Sequence, residues 1–302
     1  MGQDWSEDDI GDQTGRVALV TGANAGIGYE AARALAENGA RVLFGCRNPA
    51  RATAAVAQLK EAAPDVDVDI VPLDLADLSS ITTAVLQVSG EDRLDLLINN
   101  AGIMAVPRGE TVDGFESQMG VNHLGHFALT AGLISKLRET GGSRVVTVSS
   151  SAHKGGKINV DDLMATKRYG RVRQYCHSKL ANLLFAFELD RRLRAADADT
   201  ISTAAHPGTS ETELGRDLPR SLRLVTPLMA RSVQPAQMGA LPTLRAAVDP
   251  GAQGGDYYGP SSKSEMNGPP VLVSPSKRAQ DAAMAKQLWD LSEELTGVEF
   301  DL

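Results

Sequence analysis

Apolar and polar stretches alternate along this chain in a repeating order. Val17-Ala18-Leu19-Val20 is a short continuous apolar run, the pattern of a strand covered on both faces of a parallel sheet. The alanine-rich run from Tyr29 to Asn38 has helical character, with Gly39 in the position past a helix end. Val42-Leu43-Phe44 then reads as a second strand. The alternation continues through a helix over 50–62, a strand near Val68 to Val71, a helix from Ser79 to Ser89 and a strand from Leu94 to Ile98. A long helical stretch from Gly114 to Leu137 follows, then strands at Arg144 to Val148 and Thr200 to Ala205, with a helical run through Leu180 to Leu193 between them. Parallel strands need crossover connections, and intervening helices supply them. The pattern predicts an α/β domain over 15–302, preceded by an acidic, polar arm over 1–14 that lies on its surface.

The first strand runs directly into Thr21-Gly22-Ala23-Asn24-Ala25-Gly26-Ile27-Gly28, and a helix follows. Glycines there let the backbone approach a pyrophosphate, and the helix start offers free N–H groups and a partial positive charge. Strand, glycine-rich turn and helix form the first half of a dinucleotide-binding unit, so the expected architecture is a single Rossmann-like, doubly wound parallel sheet with helices on both faces. Such a unit built for NAD carries an acid at the end of its second strand. Here Cys46 stands there, followed by Arg47. A neutral residue removes repulsion toward a 2′-phosphate and a guanidinium grips it, which predicts NADP(H) over NAD(H).

Asp74, past the third strand, is placed either to accept from an adenine amino group or to cap a turn. The fourth strand ends in Asn99-Asn100-Ala101-Gly102, whose amides suit a crevice crossed by a cofactor and also tie loop backbone together. Asn122 sits amid Met119, Val121, Leu124 and Phe127 in a helical stretch. Asparagine is a poor interior helix former, so it marks a hydrogen-bonding task or a local kink.

Composition narrows the function classes. The chain has 302 residues, 42% of them hydrophobic, enough for a large core. A formal charge of -8 and a pI near 5.2 argue against nucleic acid as a partner. No apolar run approaches the ~20 residues needed to span a bilayer, and the N-terminus lacks a leader pattern, so a cytoplasmic protein is expected. Two cysteines, Cys46 and Cys176, make no disulfide framework and fit a reducing compartment. The histidines lack Cys or carboxylate companions at ligand spacing, so no metal site is expected, at His123 and His126 included.

The chemistry concentrates at Tyr175-Cys176-His177-Ser178-Lys179. Residues four apart share a helix face, placing a phenol beside an ammonium. A neighbouring cation favours phenolate and is expected to bring the Tyr175 pKa down toward the working range. The strand before it ends in Ser149-Ser150-Ser151, where alternation points Ser149 and Ser151 away from Ser150.

With Thr-Gly-x3-Gly-Ile-Gly at 21 to 28, Asn-Asn-Ala-Gly at 99 to 102, Asn122, Ser150, Tyr175-x3-Lys179 and Pro-Gly-x3-Thr at 207 to 212, the chain resembles the short-chain dehydrogenase/reductase family over nearly its whole length. Gly45-Cys46-Arg47, Tyr-Cys-His-Ser-Lys-Leu-Ala-Asn at 175 to 182, His206-Pro207-Gly208 and the C-terminal Leu288-Trp289-Asp290-Leu291 are similar to its retinol-dehydrogenase-like branch. The resemblance implies an enzyme that interconverts carbonyl and alcohol on a bulky, largely apolar small molecule. Tyr175 would be the general acid or base, and Lys179 would lower its pKa and hold the ribose. Ser150 would bond the substrate oxygen, and Asn122 would hold a water in a relay. The implied cofactor contacts are Gly22, Asn24, Gly26, Ile27, Gly28, Arg47, Asp74, Leu75, Asn100, Ala101, Gly102, Tyr175, Lys179, Pro207, Gly208, Thr209 and Thr212. It further implies a substrate lid over about 209–232, where Leu214, Leu218, Leu222, Val225 and Met229 are interrupted by Pro219 and Pro227. The chain departs from many NADP-dependent relatives in having Ala25, not a basic residue, before the second glycine. Two rival readings are reduction of a conjugated C=C bond and a non-catalytic NADP(H) sensor. Finally, the run Leu180 to Leu193 is apolar on more than one stripe, so either a homodimer or the 152–174 loop must cover it, and a homodimer is expected.

Overall fold

The computed structural model describes residues 4–209 and 233–302. Eight strands form one sheet: β1 (Val17–Thr21), β2 (Arg41–Cys46), β3 (Val68–Pro72), β4 (Leu96–Asn99), β5 (Arg144–Val148), β6 (Ile201–Ala205), β7 (Tyr257–Pro260) and β8 (Pro270–Leu272), in the spatial order β3-β2-β1-β4-β5-β6-β7-β8. Neighbours are parallel from β3 to β7, and β8 alone is antiparallel. The helices are α1 (Gly26–Glu37), α2 (Pro49–Ala62), α3 (Leu78–Ser89), α4 (Ser117–Met119, a single turn), α5 (Gly125–Glu139), α6 (Arg171–Ala195), α7 (Ala236–Val248) and α8 (Ala282–Thr296). The sheet grows outward from β1 through β2 to β3, then restarts at β4 on the other side of β1. The crevice at that reversal, outside the strand carboxyl ends, is where such sheets bind ligands.

Strand alternation builds the two helical layers. Ala18 and Val20 face one core with Ala31, Leu35, Leu59 and Leu244, from α1, α2 and α7. Val17 and Leu19 face the other with Ile81, Leu133, Phe185 and Trp289, from α3, α5, α6 and α8. The N-terminal arm is pinned by a Glu7–Arg33 ion pair at 2.7 Å and by burial of Ile10.

α6 resolves the question posed by its apolar excess. Phe185 and Leu189 belong to the core under the sheet, while Leu180, Leu183 and Leu184 form a third cluster with Ile158, Leu163, Ala285 and Leu288. The 152–174 segment and α8 therefore cover the second stripe within the same chain. This removes the reason for expecting a homodimer through α6.

Two further features differ from the expectation. β7 and β8 were not anticipated because they are short and pair Pro260 with Pro270, residues that read as turn. The long helix predicted from Gly114 is interrupted: between α4 and α5 the backbone takes one π turn, Gly120–Leu124, which contains Asn122. Among the described residues no helix is long and apolar enough to cross a membrane.

Candidate active site

The glycine-rich turn leaves β1 with Gly22 at φ +70° and Gly26 at φ +56°, a region that favours glycine. A Cβ at Gly26 would meet nothing within 4 Å. The next residues open α1, whose N-cap Ala25 offers no side-chain cap, so its first N–H groups face the crevice unsatisfied by a side chain. An uncapped N-terminus beside an open glycine is the cradle a pyrophosphate requires. Asn24 is half-buried in this turn and Ile27 is buried beneath it.

Thr21 holds the turn against the end of β4. Its Oγ1 accepts from the amides of Asn100 and Ala101, both at 2.9 Å, and its carbonyl accepts from Asn100 Nδ2 at 2.8 Å. Gly28 sits tightly behind this clamp: a Cβ there would lie 2.4 Å from Asn100 Nδ2 and 2.5 Å from Gly22 O. Gly28→Ala is expected to weaken nicotinamide-nucleotide affinity by about tenfold or more by displacing Asn100, which is the scale of a core overpacking defect of 1–3 kcal/mol. Titration with NADPH fluorescence checks this, and unchanged affinity would show that the clamp does not shape the site.

Cys46 does more than leave room for a phosphate. Its thiol is buried, accepts from the Ala23 and Asn24 amides, and is pushed up to about 11 by that burial. It thus braces the glycine-rich turn from behind. Arg47, next in sequence, is exposed and makes no hydrogen bond or ion pair with the described residues. Asp74 Oδ1 accepts from Ala76 N–H at 3.0 Å, so it caps its own turn. Leu75 packs under α5, where a Cβ at Gly125 would lie 2.4 Å from Leu75 O.

Asn122 and Lys179 meet at Gly102, and Tyr175 lies one turn before Lys179 on α6. A Cβ on Gly102 would stand 3.1 Å from Asn122 Oδ1 and 3.5 Å from Lys179 Nζ. Tyr175 is hydrogen-bonded to the Ser150 side chain. Lys179 Nζ donates to Val148 O at 3.0 Å, a carbonyl that also accepts from Asn182 Nδ2 at 3.0 Å. Ser149, just past the end of β5 and not within the strand on which the alternation was expected, donates to Lys179 O at 2.7 Å.

The Asn122 side chain is engaged by protein groups. Its Oδ1 accepts from Ile103 N–H at 2.8 Å, and its Nδ2 donates to Ile103 O at 3.0 Å and Ser178 Oγ at 2.9 Å. Ser178 in turn donates to Tyr175 O at 2.9 Å. The side chain thus ties the crevice loop to α6.

The Tyr175 pKa departs from the expectation. Burial pushes it up to about 12, and the opposing pull comes from the Ser150 hydroxyl, while the Lys179 ammonium is turned to Val148 O. Burial also brings Lys179 down to about 8. The i,i+4 spacing carried no information about desolvation, which sets the direction of both shifts.

Three histidines that the sequence did not assign to a metal take hydrogen-bonding roles. His126 is buried and burial lowers it to about 4, so its ring is neutral. Its Nδ1–H donates to Asn122 O at 3.1 Å, leaving Nε2 to accept from Thr21 Oγ1 at 2.9 Å, which links the π turn to the glycine-rich turn. His153 Nδ1 donates to Ser150 O at 2.7 Å and holds the turn that carries the serine. His123 Nε2 lies 2.9 Å from Ser292 Oγ, among Phe127 and Phe185. Among the described residues no group of three or more His, Cys, Asp or Glu is gathered as metal ligands.

Pro207, Gly208 and Thr209 follow β6 at the same edge of the crevice, Gly208 at φ +65°. Thr212 and the rest of the expected lid over 209–232, Thr209 apart, lie outside the described residues.

The family described as short chain dehydrogenase matches residues 16–222. Human retinol dehydrogenase 12 is 41% identical over 290 residues, spanning 95% of this chain and 88% of the relative. A solved structure of a protein from Mycobacterium paratuberculosis superposes with a TM-score of 0.84 at 43% identity, covering 99% of this chain and 100% of that one. A blue fluorescent protein from a metagenomic library, solved in complex with NADPH, aligns with a TM-score of 0.63 at 27% identity over 82% of this chain and 96% of its own.

Proposed function

The chain belongs to the short-chain dehydrogenase family, in its retinol-dehydrogenase-like branch, and from that premise we propose that it is an NADP(H)-dependent oxidoreductase that interconverts a carbonyl and an alcohol on a bulky, largely apolar small molecule. The observation that carries this reading is the hydrogen bond between Ser150 and Tyr175, on the same helix as buried Lys179, whose ammonium lies close to Gly102 of the crevice loop. The substrate class follows the curated relative, which is named for retinol, a long apolar alcohol.

When bound, the nicotinamide supplies or accepts the hydride. In reduction the Tyr175 hydroxyl donates its proton to the carbonyl oxygen, and in oxidation the phenolate takes it back. Ser150, already bonded to the phenol, holds the substrate oxygen within reach of that proton. Lys179 would hold the ribose hydroxyls and the α1 N-terminus would hold the pyrophosphate, while Asn122 fixes the crevice loop to α6. Asp74, Leu75, Asn100 and Ala101 would supply further contacts to the cofactor. A screen of carbonyls and alcohols read by NADPH absorbance tests the reading, with product analysis to distinguish C=O from C=C reduction. No turnover on any member, with nucleotide bound, would favour a sensor.

The NADP(H) preference rests on Arg47, exposed and unpaired among the described residues beside a neutral Cys46, and the NADPH-bound neighbour is consistent with it. Arg47→Leu is expected to lower kcat/KM with NADPH by about 10- to 100-fold, since a hydrogen bond to a charged group contributes about 1.5–3 kcal/mol. The value with NADH is expected to stay within about twofold. A better kcat/KM with NADH in the unmodified enzyme would overturn the preference.

A further inference from the structure

Between β7 and β8 the chain runs through Ser261 to Gly268, a connection that touches two parts of the site at once. On one side, Met266 O accepts from Thr209 N–H at 2.8 Å and lies 2.3 Å from where a Cβ on Gly208 would stand. Gly268 N–H donates to Gln234 Oε1 at 3.2 Å. Gln234 completes the ring through Nε2 to Pro207 O and N–H to Thr209 O, both at 2.9 Å. The connection and Gln234 together grip Pro207, Gly208 and Thr209.

On the other side stands Glu265. Its Oε2 lies 2.9 Å from Lys154 Nζ, in the turn that Ser150 opens, and 3.3 Å from Nε2 of His206, which precedes Pro207. His206 is fully buried and its Nδ1 accepts from Gly208 N–H at 3.3 Å, so its proton sits on Nε2, facing the carboxylate without being aligned as a hydrogen bond. Glu265 is held at φ +55°, where a non-glycine residue is strained. The connection enforces this: Glu265 N–H donates to Ser262 O at 2.7 Å, and Ser262 Oγ accepts from Met266 and Asn267 N–H at 3.1 and 3.2 Å. Strain of this kind persists only where the surroundings over-determine it.

We propose that Glu265 is a positioning residue that holds the Pro207–Thr209 segment in register with the Ser150 turn, so that binding of cofactor and carbonyl depends on a carboxylate outside the reacting groups. The proposal rests on the reading that the nucleotide lies against Pro207–Thr209. The half-exposed Lys154–Glu265 pair contributes little energy by itself. The effect arises from placement, because small displacements of a binding segment lower rates and affinities steeply.

The test compares Glu265→Ala, Glu265→Gln and Glu265→Asp with the wild type. NADPH dissociation constants are read by nucleotide fluorescence, and kcat and KM with a carbonyl found in the screen. The Ala and Gln variants are expected to raise the NADPH Kd and the carbonyl KM by about five- to tenfold each while kcat falls less than about threefold, and Asp is expected to recover much of the loss. In a Lys154→Met background the Glu265→Ala effect should shrink, since the two act through one contact. If Glu265→Ala fails to fold, the isosteric Gln variant decides. Affinities within about twofold of wild type in the folded variants would overturn the role of Glu265 alone. A wild type that binds no nicotinamide nucleotide would instead overturn the reading beneath it.

Discussion

Tyr175→Phe is expected to lower kcat by about a thousandfold or more while changing NADPH affinity by less than about threefold; general acid–base catalysis by one positioned side chain contributes typically about 10²–10⁴. The separation follows from the geometry. The ring packs in place, buried to 7% exposure, so phenylalanine keeps its volume and loses only the hydroxyl. Ser150 Oγ retains a partner in Ala152 N–H at 3.2 Å, so the serine turn survives the change. Lys179 is held at Val148 O independently of the phenol, so the hold proposed for it on the ribose should survive the change. Single-turnover kinetics with a nucleotide titration measures both quantities. Turnover close to wild type would eliminate Tyr175 as the proton donor, and a large loss of affinity would mean that the hydroxyl serves binding. Burial pushes the phenol up to about 12, so at neutral pH it carries the proton that reduction would draw on.

How far the sequence foretold this site can be judged residue by residue. The sheet was legible because its strands are covered on both sides and read as unbroken apolar runs, as at Leu19 and Ile98. Thr21, Asn100 and Gly102 were legible as a crevice because amides and glycines at strand ends have few other uses. β7 and β8 were hidden by Gly259, Pro260 and Pro270, which resemble turn in any one-dimensional pattern. Asn122 was flagged by its poor helix propensity, and the π turn is the structural response. The partners of its side chain, Ile103 and Ser178, come from distant segments that no spacing rule joins. Glu265 was invisible for the same reason: its meaning lies in Lys154 and His206, each more than fifty residues away along the chain. The spacing of Tyr175 and Lys179 put both on α6, but the lowered phenol pKa expected from it is not what burial produces, because spacing reports neighbours and burial sets the sign.

Lys179→Met is expected to produce a protein that is more stable and nearly inactive. Lys179 is buried to 4% exposure with a single hydrogen bond, to Val148 O, and burial lowers it from its ordinary value of 10.5 to about 8. A depressed lysine pKa means that folding penalises the ammonium. The penalty is fully present below pH 8, where the lysine is charged both folded and unfolded, and it is relieved as pH rises from about 8 toward 10.5. That shift corresponds to a penalty on the order of 3 kcal/mol. Methionine fills a similar volume without charge, and Val148 O keeps Asn182 Nδ2 as donor, so no buried acceptor is orphaned. Without added nucleotide, the variant's melting temperature at pH 7 should rise by about 5 °C, and the gain should narrow above pH 8. Catalysis should move the other way: kcat should fall by about a hundredfold or more and NADPH affinity should drop, since the ammonium proposed to hold and orient the ribose is lost. In the wild type the same ionisation should appear as a loss of carbonyl reduction as pH rises through about 8. A variant less stable than wild type at pH 7, or a reduction rate flat from pH 7 to 10, would show that Lys179 is not a charge held in the core at the expense of stability.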